Sequence, residues 1–306
     1  MDCPIHFDER IDTISSQEVS SSCGINFPRQ LKVSPDGLYA LLSNEDNTVQ
    51  IWSLPTGLIN KHRYYQLAGG NPGGDSEDLW KLSSINNIGE SIYDIAWYPL
   101  MNAATEGTSC YAVTSKDHPI HLYDATTHDI RCSYNGINRL DELDSARSLC
   151  FNNDGSRLYA GSDRVVRCFD LASPGRQISE VHTTKNRKDK SGIKGIISCL
   201  SFNPDVSGAY AAGSFANSVG VYVENQNRSA LELQNLSCGV TGLKWSRCGS
   251  YLWIGGRKSK DLLCWDIRHT RCEVGRVPRA ADTNQKLSFD IDPWGKYVAS
   301  GDTQGW

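Results

Sequence analysis

Leu149-Cys-Phe-Asn-Asn-Asp-Gly155, followed after ten residues by Val166-Arg-Cys-Phe-Asp170, is the plainest copy of a template that recurs along the chain. Its parts are an apolar strand ending in an aromatic, a turn of Pro-Asp-Gly character, a strand of small residues, a polar turn, and an apolar strand closing in aromatic-Asp. Upstream the same order runs from Val33-Ser-Pro-Asp-Gly37 to Val49-Gln-Ile-Trp52, and from Tyr93-Asp-Ile-Ala-Trp97 to Ile120-His-Leu-Tyr-Asp124. Downstream it runs from Ile197-Ser-Cys-Leu-Ser-Phe-Asn-Pro204 to Val219-Gly-Val-Tyr222, and from Leu243-Lys-Trp-Ser-Arg-Cys-Gly249 to Leu263-Cys-Trp-Asp266. A sixth copy opens at Phe289-Asp-Ile-Asp-Pro-Trp-Gly295 and is cut at Trp306.

The closing aromatics Trp52, Tyr123, Phe169, Tyr222 and Trp265 are 71, 46, 53 and 43 residues apart. That spacing fits a WD-repeat blade of about 40–45 residues lengthened by loop insertions. The expected fold is therefore all-β: a WD-repeat β-propeller of four-stranded blades, five complete and a sixth truncated. Pro-Asp-Gly supplies the backbone angles of a tight antiparallel turn. Asp46, Asp117, Asp163 and Asp302 fall in the next turn, where a carboxylate accepts backbone N–H groups, so they read as structural. The closing aromatics, with Asp124, Asp170 and Asp266 beside them, are assigned the same structural role. A propeller removes its edges by closing on itself. A chain that stops inside copy six is therefore expected to be a fragment, or to have its open edge covered by another chain.

Composition narrows the function. Net charge is −4, and residues 1–90 carry 6 basic against 12 acidic side chains, leaving 25 against 23 for the rest. An acidic front end precedes a near-neutral body, so bulk charge does not announce a nucleic-acid binder. Residues 1–26 read as a short acidic, Ser-rich flexible segment and 27–306 as the propeller. The N-terminus has neither a basic n-region nor an apolar h-region, and no apolar run reaches membrane-spanning length; both point to a soluble intracellular protein. Eleven cysteines include no Cys-x-x-Cys pair, and Cys150, Cys199 and Cys264 sit in apolar strands as small hydrophobes. Zinc is not expected, and His118 and His121 are read as structural because strand alternation separates them. No Gly-x-Ser-x-Gly or phosphate-loop motif occurs, so neither an enzyme nor a cofactor is expected. Gly69-Gly-Asn-Pro-Gly-Gly74 leads into acidic residues and reads as a connector.

Two basic clusters stand out. Lys185, Arg187, Lys188, Lys190 and Lys194 surround Asp189 between the third and fourth copies. Arg257-Lys-Ser-Lys260 occupies the strand turn of copy five, inside a span (257–279) with seven basic and three acidic residues. Three cations in one turn must repel one another unless an anion is present. Such side chains reach phosphates, and arginine also stacks on unpaired bases.

Several strings go beyond the generic repeat: Ser91-Ile-Tyr-Asp-Ile-Ala-Trp-Tyr-Pro-Leu-Met101, His118-Pro-Ile-His-Leu-Tyr-Asp-Ala125, Leu140-Asp-Glu-Leu143 and Ser148-Leu-Cys-Phe151. Pro174-Gly-Arg176, Gly195-Ile-Ile-Ser-Cys199, Gly256-Arg-Lys258, Asp261-Leu-Leu-Cys-Trp-Asp-Ile-Arg268 and Thr283-Asn-Gln-Lys-Leu-Ser-Phe-Asp-Ile-Asp-Pro293 continue the series. In this order, from about Phe27 to the last residue, they resemble the telomerase Cajal body protein family. The resemblance implies a seven-bladed, non-enzymatic RNA-binding scaffold. Its implied partners are small Cajal body RNAs and telomerase RNA, recognised through the CAB box, together with H/ACA ribonucleoprotein proteins and telomerase. No membrane or small-molecule substrate is implied. Residence in the nucleus and Cajal body is, with some cytoplasmic protein. RNA contact is carried onto Arg257 and Lys258, with Lys260, Lys185, Arg187 and Lys188 added from the charge clusters. Phe27 matches the aromatic opening the family's propeller and is expected to pack. The chain departs from the family in its shorter front end, in the absent final blade and a half, and at Asn235-Leu-Ser-Cys238, where relatives carry Gly-His. A second reading is a substrate receptor of a cullin-type ubiquitin ligase, on Trp265-Asp-Ile-Arg268, and a third is a generic protein-interaction scaffold.

Overall fold

The computed structural model describes residues 27–55, 80–184, 191–292 and 294–303. The acidic front end, the Gly69–Gly74 connector, and Lys185, Arg187 and Lys188 lie outside the described residues. The described chain is built from antiparallel four-stranded blades arranged as a propeller, with no α-helix among the described residues.

Blade 1 comprises β1 (Pro28–Val33), β2 (Tyr39–Asn44), β3 (Thr48–Ser53) and β4 (Lys81–Asn87). Blade 2 follows with β5 (Ile92–Trp97), β6 (Cys110–Ser115), β7 (Ile120–Asp124) and β8 (Ile130–Asn135). Blade 3 has β9 (Ser148–Phe151), β10 (Arg157–Gly161) and β11 (Val165–Asp170). The short β12 (Gly175–Arg176) then crosses to pair with β8 of blade 2 in parallel, and β13 (Ser179–His182) completes blade 3. Blade 4 holds β14 (Ile197–Phe202), β15 (Ala209–Ser214), β16 (Ser218–Val223) and β17 (Ser229–Leu233). Blade 5 holds β18 (Val240–Trp245), β19 (Tyr251–Gly256), β20 (Asp261–Asp266) and β21 (Gly275–Pro278). The described sixth sheet is β22 (Phe289–Ile291) paired with β23 (Val298–Ser300).

The core is a series of layers between blades. Leu41, Val49 and Ile51 of blade 1 pack on Ile95, Tyr111 and Val113 of blade 2. Tyr134 of blade 2 packs with Leu149, Leu158 and Phe169 of blade 3. The same layering joins blades 3 and 4, 4 and 5, and 5 and the sixth sheet. The second strand of each blade needs small residues because the next blade's first strand inserts a side chain there. A Cβ on Gly161 would lie 2.6 Å from Ile197, one on Gly213 2.6 Å from Val240, and one on Gly255 2.8 Å from Phe289.

The expected structural positions behave variously. Phe169 and Tyr222 are buried, and Tyr222 stacks on Tyr210 with centroids 5.5 Å apart. Tyr123 stacks on Tyr111 at 5.5 Å. Trp265 is partly buried against the layer between blades 4 and 5. Trp52 donates its indole N–H to Gln50 at 3.0 Å. Phe27 remains 38% exposed just ahead of β1, its carbonyl accepting the Glu45 amide. The carboxylate-in-turn expectation needs correction. Asp46 accepts the Thr48 amide at 3.0 Å as expected, but Asp163 instead holds the Arg164 guanidinium at 2.8 Å, and Asp117 adopts a left-handed φ of 56°. Backbone donors are accepted one turn earlier, by Asp36, Asp154 and Asp205, and at the strand ends, where Asp124, Asp170 and Asp266 each accept an amide two residues on. In the earlier turns Gly37, Gly155, Gly208, Gly249 and Gly295 all take φ near +70°, which is why glycine recurs there.

The described cysteines are free. Burial pushes Cys110 and Cys199 up to about 11 and Cys264 up to about 12, keeping them neutral small hydrophobes.

Candidate nucleic-acid interface

Antiparallel strands alternate direction, so the turn between second and third strands points the same way as the connector to the next blade. Hydrogen bonds tie the two together around the ring. Ile88 donates to Asn47, Lys116 to Ser91, Arg164 to Gly195, Phe215 to Ile196, Arg257 to Gly239 and Lys258 to Thr283, at 2.8–3.2 Å. This face carries the Arg257–Lys260 turn. It also carries both described flanks of the other basic cluster, since Thr183 donates to Arg164 and Ile193 to Thr183.

Arg257, Lys258 and Lys260 do not crowd as expected. Arg257 leaves the turn and lays its guanidinium over the Phe215 ring of blade 4, 4.2 Å from the centroid, with Nη2 donating to the Phe215 carbonyl at 3.4 Å. Lys258, at φ 50°, and Lys260 stay exposed, and Ser259 between them is buried, its hydroxyl donating to the Asp261 carbonyl at 2.8 Å. Lys194, the described member of the first cluster, is also exposed.

Three features here escaped the sequence reading. Phe215 is an aromatic in a turn that is elsewhere polar, which was a signal to follow. Arg147 lies over Tyr93 at 3.9 Å in the connector entering blade 3. Arg279 is 8% exposed and among the described residues bonds to neutral groups, the Ser300 hydroxyl at 3.2 Å and the Gly256 carbonyl at 2.9 Å; burial lowers its pKa.

The propeller axis is polar. Asp94 on β5 accepts the Leu149 amide of blade 3 at 2.9 Å and Lys32 Nζ of blade 1 at 3.3 Å. Lys286, from the connector after blade 5, donates to the Ser198 carbonyl of blade 4 at 3.4 Å. Burial pushes Asp94 upward, but the charges of Lys286 and Lys32, with the Leu149 amide, outweigh it and hold the carboxyl below its usual range. His118 and His121 engage different partners, the Lys116 carbonyl and the Ser133 hydroxyl. In Trp265-Asp-Ile-Arg268 the guanidinium folds back on its own Asp266 at 2.8 Å, which is strand-end structure.

Residues 142–170 match the family described as WD domain, G-beta repeat. The chain is 38% identical to telomerase Cajal body protein 1 of Bos taurus over 92% of its length and 49% of the relative. It is 38% identical to the Homo sapiens protein of that name over 92% of its length and 48% of the relative. With guanine nucleotide-binding protein negative regulator 1 of Schizosaccharomyces pombe it shares 30% identity over 90% of its length and 69% of the relative. The chain spans about half the length of the telomerase Cajal body proteins it matches. Blade order, the layered core and this similarity along nine-tenths of the chain agree: it belongs to the WD-repeat family that includes telomerase Cajal body protein 1.

Proposed function

We propose that this chain is a non-enzymatic RNA-binding scaffold. In this reading it recognises CAB-box small Cajal body RNAs and telomerase RNA, and directs H/ACA ribonucleoproteins and telomerase to Cajal bodies and telomeres. The observation that carries the reading is the Arg257–Lys260 turn. It holds two exposed lysines beside a guanidinium with no carboxylate partner among the described residues, on the face where turns and connectors converge. Sequence-specific RNA recognition uses unpaired loop bases presented to such a surface. Arg257, Lys258 and Lys260 are assigned to the RNA, with Lys185, Arg187 and Lys188 adding charge from the connector between blades 3 and 4. Nuclear and Cajal-body residence follows from these partners.

The test is ultraviolet crosslinking of the chain expressed in cells of its own organism, followed by sequencing of the attached RNA. The expected result is enrichment of H/ACA-type small RNAs with crosslinks in loops. Recovery of a ligase adaptor without RNA enrichment would overturn it in favour of the ubiquitin-ligase reading.

A further inference from the structure

We infer that Arg257 and Phe215 form a stacking platform for one unpaired base of a single-stranded RNA, flanked by phosphate contacts at Lys258 and Lys260; the inference rests on the RNA reading above. Three observations lead to it. The first is that the guanidinium lies 4.2 Å over a ring supplied by the neighbouring blade and also donates to that residue's carbonyl at 3.4 Å. The second is Gly239. A Cβ there would sit 2.8 Å from Arg257 Nε and 2.8 Å from the Phe215 carbonyl, and Gly239 does not have the positive φ that would demand glycine. The missing side chain therefore makes room for the guanidinium. The third is charge. Seven described arginines, Arg29, Arg131, Arg164, Arg167, Arg176, Arg268 and Arg276, face a carboxylate, whereas Arg257, like the ring-stacked Arg147 and the buried Arg279, faces none among the described residues, so its charge stays available to a ligand.

A guanidinium resting over one ring has a second face, and Arg257 as a whole is partly exposed. Being planar and weakly hydrated, it stacks on a nucleobase, whereas an ammonium, a hydrated point charge, does not. Because every base has a π-face, the platform accepts any base and requires only that it be unpaired. Lys258 and Lys260, exposed on the same turn, supply charge to the phosphates on either side. Arg257 is thus assigned to a base rather than to a phosphate.

The experiment measures binding of the full chain to a fluorescent single-stranded RNA of mixed sequence and to an abasic ribose-phosphate strand of equal length. Wild type is expected to bind the base-bearing strand more tightly. Arg257→Lys keeps the charge and removes the plane; Phe215→Leu keeps the volume and removes the ring. Each is expected to weaken binding to the base-bearing strand by about tenfold, the scale of one stacked base. Neither should change affinity for the abasic strand or the salt dependence. Equal loss on both strands, or wild-type binding by Arg257→Lys, overturns the platform and leaves the RNA reading standing. If wild type binds neither strand, the platform, which accepts any unpaired base, is overturned, and the RNA reading is decided by the crosslinking experiment above. Arg257→Lys alters only a turn side chain, so it decides the matter should Phe215→Leu fail to fold.

Discussion

Asp94 lies where the first strands of three blades converge, with Leu149 Nα and Lys32 Nζ on its carboxylate and Lys286 close enough to stabilise its charge. Its folded pKa is depressed, so it contributes stability above the ordinary carboxylate pKa of about 3.9, and that contribution is lost as pH falls through the folded value. Asp94→Asn removes the charge but keeps the shape. Breaking a fully buried pair costs about 3–5 kcal/mol, but Lys32 is 38% exposed, so about 2 kcal/mol is expected at pH 7. Urea unfolding at pH 7 and pH 3 tests this: the gap between wild type and variant should narrow at the lower pH, and an equal gap at both would exclude the charge as the cause. Sequence placed Asp94 in a strand but could not name its partners, because Lys32 and Lys286 lie 62 and 192 residues away and approach it only through the arrangement of blades about the axis. Turn carboxylates were only partly legible for a related reason. Asp46 and Asp163 occupy matching turns, but Asp46 accepts a backbone amide whereas Asp163 Oδ2 accepts two N–H groups of the adjacent Arg164 guanidinium.

Strands and turns explain which elements the sequence revealed. In blades 2 to 5 the first three strands are largely buried, whereas β1 of blade 1 is mostly exposed, and the apolar runs, glycine turns and closing aromatics repeat visibly. The fourth strands β21 and β13 hold only exposed and half-buried residues and carry little hydrophobic signal. Small residues in second strands have a cause visible only in the packing. Gly213→Ala would place a Cβ 2.6 Å from Val240 and 2.7 Å from Cys199. Overpacking of this kind costs about 1–3 kcal/mol, readable as a lower denaturation midpoint at unchanged m-value. A midpoint equal to wild type would show that blades 4 and 5 yield at no cost. The segment around β12 is a second case. Gln177 both accepts from the Ile137 amide at 3.0 Å and donates to its carbonyl at 2.7 Å, pinning the connector that leads into blade 3. Gln177→Ala is expected to cost about 1–2 kcal/mol and to speed hydrogen exchange at Ile137 selectively. Uniformly faster exchange along the chain would argue against a local strap.

Over the whole molecule, a net charge of −4 conceals an uneven surface. On the turn face, exposed Asp46, Lys116 and Asp117 lie on blades 1 and 2, exposed Lys194, Lys258 and Lys260 toward blades 4 and 5, and exposed Asp282 in the connector after blade 5. The sequence singled out the Arg257–Lys260 turn but not the departure of Arg257 to Phe215, because the two are 42 residues apart and the pairing depends on adjacent blades. In the proposed function this face holds RNA through its exposed lysines. This is tested most directly by the salt dependence of single-stranded RNA binding to wild type and to the Lys258→Ala, Lys260→Ala double variant. Each phosphate contact on a single strand contributes about 0.7 to the slope of log K against log salt, so the variant should lose about 1.4. A folded variant that keeps the wild-type slope would contradict the account.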